Sequence, residues 1–348
     1  MKKYIFAIII GVIGGGLFQL TRMPLPWTLG PMATVGIAQL YFKKEIFWPS
    51  DIRNMGLVVL GYVMGRSFTP ETGERILSYL PWLIVVTLLT TILCLLGGLI
   101  TKRYTNISLS TSLFGSLPAG LSQTAAICEE IEGSDSTVVA LMQTVRVILV
   151  VFIVPFISLH GFSNSVNRLP NSIKYGINDV LTLAGCIVFI SFLVYLGKFI
   201  KVPGRYILMP ILGTAAITIG GINTPSLPAW VISAAQLCIG IKMGMSVNLT
   251  SLANWRKISF YSMLNFFGLL SMLMAADYLI SKFTTIPYLT IFIGTAPGGM
   301  AEMGLTAMMV KADLPTVIAF QIFRLLFVFL VVIPFLSWWF KRKNHIQS

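Results

Sequence analysis

Long apolar segments alternate with short polar connections along the whole chain. Two of them, Tyr79 to Ile100 and Thr137 to Leu159, hold about 20 residues each, the length that an α-helix needs to cross the hydrocarbon core of a bilayer. The second of these runs contains a single charged residue. The pattern predicts an all-α polytopic membrane protein that passes through the cell membrane several times.

The apolar segments form two similar series of six, one in each half of the chain. In the first half, the pattern predicts a helix to Leu20 and further segments at 25–42, 52–68, 76–100, 108–131 and 137–159. In the second half, it predicts segments at 180–200, 204–221, 228–247, 255–282, 287–310 and 315–340. The fifth segment of each series has proline and glycine in its middle, where they break a helix.

An offset of 179 positions brings the two series into register. It pairs Gly115-Ser-Leu-Pro-Ala-Gly-Leu-Ser-Gln123 with Gly294-Thr-Ala-Pro-Gly-Gly-Met-Ala-Glu302. A slip of one residue then aligns Gln143-x-x-Arg146 with Gln321-x-x-Arg324. Glycine, proline and intramembrane arginine are informative here, because each is present for a backbone or charge reason rather than for hydrophobicity.

These matches predict an internal duplication. Each homologous repeat has five to six transmembrane segments, one of them a Pro/Gly-broken helix. The predicted parts are membrane repeat 1 at 1–160, a polar linker at 161–179, membrane repeat 2 at 180–340 and a basic tail at 341–348. Five crossings per half give inverted repeats, and six give parallel ones. Six crossings place Arg256 and Lys257 outside, which the positive-inside rule disfavours, so inverted repeats are favoured while both counts stay open.

The two broken helices are the predicted binding site. Backbone without helical hydrogen bonds persists at membrane depth only when it is buried in protein or faces a watery cavity, and matched Gly/Pro breaks in two halves are typical of transporter sites. A helix that restarts after the break directs free N–H groups and partial positive charge at an anion or a carbonyl. The alternative is a kinked packing helix with close-approach glycines. The predicted substrate- and ion-binding residues are Pro118, Ala119, Gly120, Ser122, Gln123, Pro297, Gly298, Gly299, Glu302, Arg146 and Arg324.

Charged residues within the apolar segments are further candidates. Glu302 follows the second break in the first turn of the resumed helix, and its counterpart is the neutral Gln123. An ion pair between Glu302 and Arg146 or Arg324 is one interpretation, and a protonatable or cation-coordinating carboxylate is the other.

Three weaker signals lie outside the broken helices. Lys242 lies near a helix end, where a lysine can extend to the interface, and Asp277 has no partner that the sequence identifies. The paired segments Gly61-x-x-Met64-Gly65 and Gly240-x-x-Met243-Gly244 resemble small-residue helix contacts rather than ligand positions.

Composition excludes several functional classes. The chain has 348 residues, of which 56% are hydrophobic and 11% charged, and its net charge of +13 lies mainly in short connections between segments. This placement disfavours nucleic-acid binding. The four cysteines are scattered and there are only two histidines, so we predict no metal and no cofactor. Phosphate-binding, nucleophile-elbow and dinucleotide motifs are absent, so we predict no enzyme.

The sequence resembles a known family. Leu25-Pro-Trp-Thr-Leu-Gly-Pro31, the glycine-methionine segments and Ala296-Pro-Gly-Gly-Met-Ala-Glu-Met303 are similar to the AbrB-type duplicated membrane proteins, which are labelled regulators or ammonia monooxygenases. The ligands that a monooxygenase metal would need are missing. The regulator label implies an effect on gene expression that is indirect, through transport or sensing.

A more distant resemblance concerns mechanism. The two breaks are similar to the crossing discontinuous helices of bile-acid/sodium symporters and cation/proton antiporters, which hold substrate and ion. By position, that resemblance implies roles for Pro118 to Gln123 and for Pro297 to Glu302. Those carriers usually place serine or asparagine after the glycines, whereas here Ala301-Glu302 follows, so proton coupling through Glu302 is at least as well supported as sodium coupling.

The predicted function is transport of a small anionic or zwitterionic metabolite by alternating access. The expected partners are the substrate, H+ or Na+ as coupling ion, the lipid bilayer and a second copy in a homodimer, but not nucleic acid. The alternative is a membrane-embedded sensor or regulator that binds a ligand in the same cavity without transport. A membrane enzyme is the least supported of the three.

Overall fold

The computed structural model describes residues 2–42, 47–119, 124, 127–162, 176–200, 202–246 and 254–347. These residues are helical or in short connections, and no strand occurs among them, which confirms the predicted all-α fold. The first half contains α1 Lys2–Leu20, α2 Pro26–Phe42, α3 Ser50–Gly65, α4 Pro70–Ser78, α5 Leu80–Thr105, α6 Leu109–Ser116 and α7 Ser136–Phe162. The second contains α8 Ile177–Phe199, α9 Arg205–Ile219, α10 Ala229–Met245, α11 Trp255–Phe283, α12 Tyr288–Thr295, α13 Met300–Met309, α14 Leu314–Phe327, a π-helical turn Val328–Val332 and α15 Ile333–Gln347.

Five of the described helical segments are long and apolar enough to cross a bilayer, which supports a membrane protein. They are Leu80–Thr105, Ser136–Gly161, Asp179–Phe199, Trp255–Phe283 and Leu314–Arg342. Three shorter apolar helices accompany them, at Tyr4–Leu20, Arg205–Ile219 and Ala229–Met245. The number of crossings in each half stays a prediction.

Helices recur along the chain at the offset seen in the sequence. The short helices α6 and α12 begin at Leu109 and Tyr288 and end at Ser116 and Thr295, so both ends are 179 positions apart. Each short helix stops directly before a Leu-Pro or Ala-Pro step. The predicted breaks are therefore present, while common descent of the two halves stays a prediction.

The helices group into two compact units that combine segments from both halves. Unit 1 comprises Met1–Leu77, Pro155–Val247 and Met300–Thr316, and unit 2 comprises Ser78–Val154, Asn248–Gly299 and Val317–Ser348. The units therefore do not coincide with the two sequence halves.

In unit 1, small residues bring helices of opposite halves into close contact. A Cβ added at Gly61 or Gly65 of α3 would lie 2.7 Å from the carbonyl oxygen of Ile207 or 2.6 Å from that of Ile211, both on α9. Glycines of α10 make the corresponding contacts on α2: Gly240 with the carbonyl of Thr28 and Gly244 with that of Met32. The prediction that these glycines form helix contacts is confirmed.

Unit 2 is built around α5 and α11, which pack along each other. Leu93 and Cys94 of α5 form a buried apolar cluster with Leu269 and Leu273 of α11. Gly97 lies so close to the carboxamide of Asn265 that an added Cβ would overlap it. The short helices flank this pair, since α6 packs on α5 and α12 packs on α11.

Candidate functional site

The second break is produced by Pro297. The preceding Ala296 has φ −50° and ψ 130°, the extended conformation that a following proline favours because its ring clashes with a helical neighbour. The N–H of Gly298 donates to the carbonyl of Ala296 at 2.7 Å and closes a three-residue turn around the proline. The helix therefore ends at Thr295 and resumes at Met300.

The first break has the same geometry as the second. Leu117, before Pro118, has φ −64° and ψ 138°, and the N–H of Ala119 donates to its carbonyl at 2.9 Å. Three predicted site residues of this segment lie outside the described part of the chain: Gly120, Ser122 and Gln123.

Gln321, on α14, binds the carbonyl oxygens at the end of α12. A helix leaves its last four carbonyls without helical partners, and unsatisfied carbonyls are costly away from water. The Nε2 group of Gln321 donates to the carbonyls of Ile293 at 3.1 Å, Gly294 at 3.0 Å and Ala296 at 3.2 Å. In an unbroken helix, the N–H of residue 297 would donate to the carbonyl of Ile293. Proline has no N–H, so Gln321 takes the place of that donor.

Arg324 binds two further carbonyl oxygens of the same break and shares that of Ala296 with Gln321. Its Nη1 donates to the carbonyls of Thr295 at 2.9 Å and Ala296 at 2.7 Å, and its Nη2 donates to that of Gly298 at 3.1 Å. Nη2 also donates to the side-chain oxygen of Gln321, which fixes the two side chains relative to each other. A positive charge at the C-terminal end of a helix is also favoured by the helix dipole.

Gln143 and Arg146, on α7, make the equivalent contacts at the first break. We call Gln143 with Arg146 the first Gln–Arg pair, and Gln321 with Arg324 the second. Here too the arginine donates to the oxygen of its glutamine. Gln143 donates to the carbonyls of Phe114 and Leu117, at 3.1 Å each. Arg146 donates to the carbonyls of Ser116 at 3.2 Å and Ala119 at 3.5 Å, and also to that of Leu117.

The two arginines are therefore part of the helix breaks. Both are buried, with 8% of Arg146 and 5% of Arg324 exposed. The two guanidinium groups interact electrostatically with each other and with the thiol of Cys94 on α5. Among the described residues, no carboxylate forms a salt bridge or hydrogen bond with either of them. Two positive charges thus lie close together in unit 2.

A small cleft adjoins the first Gln–Arg pair within unit 2. Its polar lining comes from Ser116, Arg146, Ser262 and Asn265, and Phe266 is among the residues of its apolar wall. The Nε of Arg146 and the hydroxyl of Ser262 are buried and have no hydrogen-bond partner among the described residues. Sequence reasoning missed Ser262 and Asn265. The available signal was the presence of two polar residues, three positions apart, in an apolar span.

Glu302 belongs to unit 1, where it lies in the first turn of α13 and is 6% exposed. The helix α13 packs on α3, and the positive charge that acts on the Glu302 carboxylate is Arg53 of α3. The sequence-based pairing of this carboxylate with Arg146 or Arg324 is thus replaced by an electrostatic interaction with a different arginine. A Cβ at Gly304 would overlap the side chain of Met64, so this contact is tightly packed.

The two other charged candidates have partners that the sequence did not identify. The Asp277 carboxylate is fully buried in unit 2, and its Oδ2 accepts a hydrogen bond of 2.7 Å from the hydroxyl of Thr295. Lys242 of unit 1 donates from Nζ to the carbonyl of Trp48 at 3.0 Å, so the ammonium binds protein backbone. Within the described residues, no three histidine, cysteine, aspartate or glutamate side chains lie together as metal ligands would.

The amino-acid sequence matches one protein family and two bacterial proteins over most of its length. A family model described as "Transition state regulatory protein AbrB" matches residues 27–340. The Bacillus subtilis (strain 168) protein named "Uncharacterized protein YhjN" is 25% identical over the whole of this chain and 95% of its own length. The Escherichia coli (strain K12) protein named "Putative regulator AbrB" is 24% identical over 88% of each chain.

Proposed function

The chain belongs to the AbrB family of membrane proteins, and we propose that it is a carrier that moves a small anionic or zwitterionic metabolite across the membrane by alternating access. The cleft beside Arg146 is the observation that carries this proposal. It combines a few polar groups with an apolar wall, as small-molecule sites do, and its free volume of about 20 Å³ leaves room for a group the size of a water molecule or one carboxylate oxygen.

The chemistry of the cleft favours an anion. The Nε–H of Arg146 and the hydroxyl of Ser262 are buried without partners in the described chain, and each such group costs about 1–3 kcal/mol if nothing binds it. An oxygen that accepts from both groups would remove this cost. Because Arg146 is positively charged and Arg324 adds a second positive charge nearby, a carboxylate is the favoured acceptor.

The start of α13 is less suited to an anion than the sequence suggested. Glu302 occupies the first turn of that helix, where its own negative charge offsets the positive end of the helix dipole. The anion is therefore assigned to the cleft in unit 2.

The position of the second break supports a moving part. The chain passes from unit 2 to unit 1 between Gly299 and Met300, directly after the turn around Pro297. A short non-helical segment can absorb backbone rotation without loss of helical hydrogen bonds, as hinges do. We assign this segment as the hinge of alternating access.

The test uses the purified protein in nanodiscs and proteoliposomes, with labelled small mono- and dicarboxylates and amino acids as probes. Compounds that raise the unfolding temperature in nanodiscs are tested for counterflow in proteoliposomes. We expect Ser262→Val and Asn265→Leu to weaken ligand binding in nanodiscs and counterflow in proteoliposomes about tenfold. This is the effect expected from the loss of one hydrogen bond to a charged group. The matched control is Ser271→Val, an exposed serine of the same helix whose hydroxyl bonds Gly268 within its own helix.

The outcomes separate this proposal from a second candidate, a membrane-embedded sensor. The family description and the name of the Escherichia coli relative favour a regulator. Ligand-induced stabilisation without counterflow, together with altered transcription in a deletion strain, would support the sensor and reject the carrier. Absence of stabilisation by all probes would reject the anion site. Neither candidate includes catalysis, a bound cofactor or direct contact with nucleic acid.

A further inference from the structure

A buried carboxylate lies beside the second break. Asp277 is in α11, one of the five candidate membrane spans, and none of its surface is exposed. Its Oδ2 accepts from the hydroxyl of Thr295 at 2.7 Å, whereas its Oδ1 is buried without a hydrogen-bond partner in the described chain. An ionised carboxylate in such a place is costly unless a positive charge compensates it.

In the part of the chain that the structure describes, no cation forms a hydrogen bond or salt bridge with Asp277. The α12 helix contributes the phenol of Tyr288, which interacts electrostatically with Asp277. On α11 itself, the nearest ammonium is Lys282, whose Nζ lies 5.3 Å from the ring centroid of Tyr278.

The other cations of α5 and α14 make no hydrogen bond or salt bridge with Asp277 among the described residues. The basic end of α5, with Lys102 and Arg103, lies near Tyr261, because Tyr104 stacks on that ring with centroids 5.1 Å apart. Tyr261 is about 24 Å from Asp277 along α11. Arg324 of α14 binds the carbonyl of Thr295 at 2.9 Å and forms no hydrogen bond or salt bridge with Asp277 among the described residues.

The first half has no carboxylate at the equivalent position. At the offset of 179, Asp277 corresponds to Gly98 and Thr295 corresponds to Ser116. A Cβ at Gly98 would lie 2.6 Å from the hydroxyl oxygen of Ser116 and 3.1 Å from the carbonyl oxygen of Ser112, so a larger side chain there would have to displace the serine. The first break thus exists without an acidic partner. Because a break of this kind does not require the carboxylate, the cost of burying Asp277 points to a function.

We propose that Asp277 is the proton-binding site of the protein and couples proton uptake to the conformation of the second break. The proton binds at Oδ1, the oxygen without a partner, in the reaction of carboxylate and H+ from water to give the neutral acid. The ionised form is stabilised by the hydrogen bond from the hydroxyl of Thr295. A change at Asp277 therefore acts directly on the last residue of α12 before the turn around Pro297.

This assignment differs from the one that the sequence suggested. The positive charge of Arg53 acts on the carboxylate of Glu302, the predicted protonatable group, whereas no cation forms a hydrogen bond or salt bridge with Asp277 among the described residues. A sodium ion would need several oxygen ligands, and Asp277 and Thr295 supply too few. The coupling role rests on the proposed carrier function, but binding of the proton does not.

Infrared difference spectroscopy of the protein in nanodiscs tests protonation directly. We expect a C=O stretching band of a buried carboxylic acid that disappears as pH is raised, that is absent in Asp277→Asn and that is retained in Glu302→Gln. Thr295→Val should shift the disappearance to higher pH, with about tenfold tighter proton binding, because it removes one hydrogen bond to the charged form. The Thr295→Val shift provides a readout that does not depend on folding of Asp277→Asn.

Three results would overturn the assignment: no such band in the wild type, an unchanged band in Asp277→Asn, or no shift in Thr295→Val. The coupling of proton binding to transport is tested separately. If substrate flux driven by a pH gradient is lost in Asp277→Asn while counterflow remains, the coupling role holds. If the band behaves as expected but no variant or wild type shows flux, proton binding stands and the carrier proposal fails.

Discussion

The guanidinium of Arg324 donates a hydrogen bond of 2.7 Å to the carbonyl oxygen of Ala296, the residue at which the second broken helix leaves the helical path. The same oxygen accepts from Gln321 at 3.2 Å. The end of α12, in an apolar segment, is thus satisfied by two side chains of α14. The first break repeats the arrangement through Gln143 and Arg146.

We expect Arg324→Met to destabilise the folded protein by about 3 kcal/mol, because buried carbonyls at the end of α12 lose hydrogen bonds to a charged donor. The measurement is the unfolding midpoint in detergent or nanodiscs, followed by tryptophan fluorescence. Arg146→Met should show a loss of similar size, since it serves the equivalent carbonyls. The control is Arg103→Met, an exposed arginine at the end of α5. Equal stability of Arg324→Met and Arg103→Met would contradict this role.

The sequence predicts the local part of this arrangement but not the tertiary part. The break depends on Pro297 and its immediate neighbour, so it is visible in the sequence. The spacing of Gln321 and Arg324 places both on one helix face, which the sequence also shows. Their acceptors lie more than 20 positions away, so which groups they bind depends on packing. The sequence alone therefore does not distinguish an Arg324 that forms an ion pair with a carboxylate from one that donates hydrogen bonds to carbonyls.

The dependence on tertiary packing also explains what the sequence showed of Glu302 and Gly65. Arg53 lies in a short helix far from Glu302 in sequence, and only the packing of α3 on α13 brings it near that carboxylate. Gly65 was identified as a helix contact because small residues at a spacing of four have a recognised packing geometry. Where a residue's role follows from backbone geometry, sequence reasoning succeeds, and where it depends on a distant partner, it does not.

We expect Gly65→Ala to destabilise unit 1 by about 1–3 kcal/mol, because its Cβ would lie 2.6 Å from the carbonyl oxygen of Ile211, which is backbone and cannot move aside cheaply. Gly244→Ala should do the same at the contact with Met32. Thermal unfolding in nanodiscs measures both. The matched control is Gly268→Ala within α11, where no atom lies near the added Cβ, and which should be neutral or stabilising by about 0.5–1 kcal/mol. Destabilisation of the control by the same amount would argue against close contact as the cause.

We expect Arg53 and Glu302 to be energetically coupled by about 1 kcal/mol. In a double-mutant cycle, Arg53→Met should destabilise the wild type more than it destabilises Glu302→Gln, because in the latter no carboxylate remains to be neutralised. Chemical denaturation of the four proteins gives the interaction energy. The control cycle combines Glu302→Gln with Arg22→Met. An interaction energy near zero in the first cycle would show that Arg53 does not stabilise the buried carboxylate.

The contact between Gly97 and Asn265 predicts second-site suppression in unit 2. An added Cβ at Gly97 would overlap the carboxamide of Asn265, so Gly97→Ala should force that side chain out of its position and destabilise the packing of α5 on α11 by about 1–3 kcal/mol. Asn265→Ala removes the overlapping atoms, so the double variant should regain most of the lost stability. Gly97→Ala with Ser271→Ala is the control pair, because Ser271 is exposed on the same helix and should restore nothing. Unfolding midpoints of the single and double variants measure the effect. If Asn265→Ala fails to restore Gly97→Ala while it folds normally alone, the two helices do not meet at this pair.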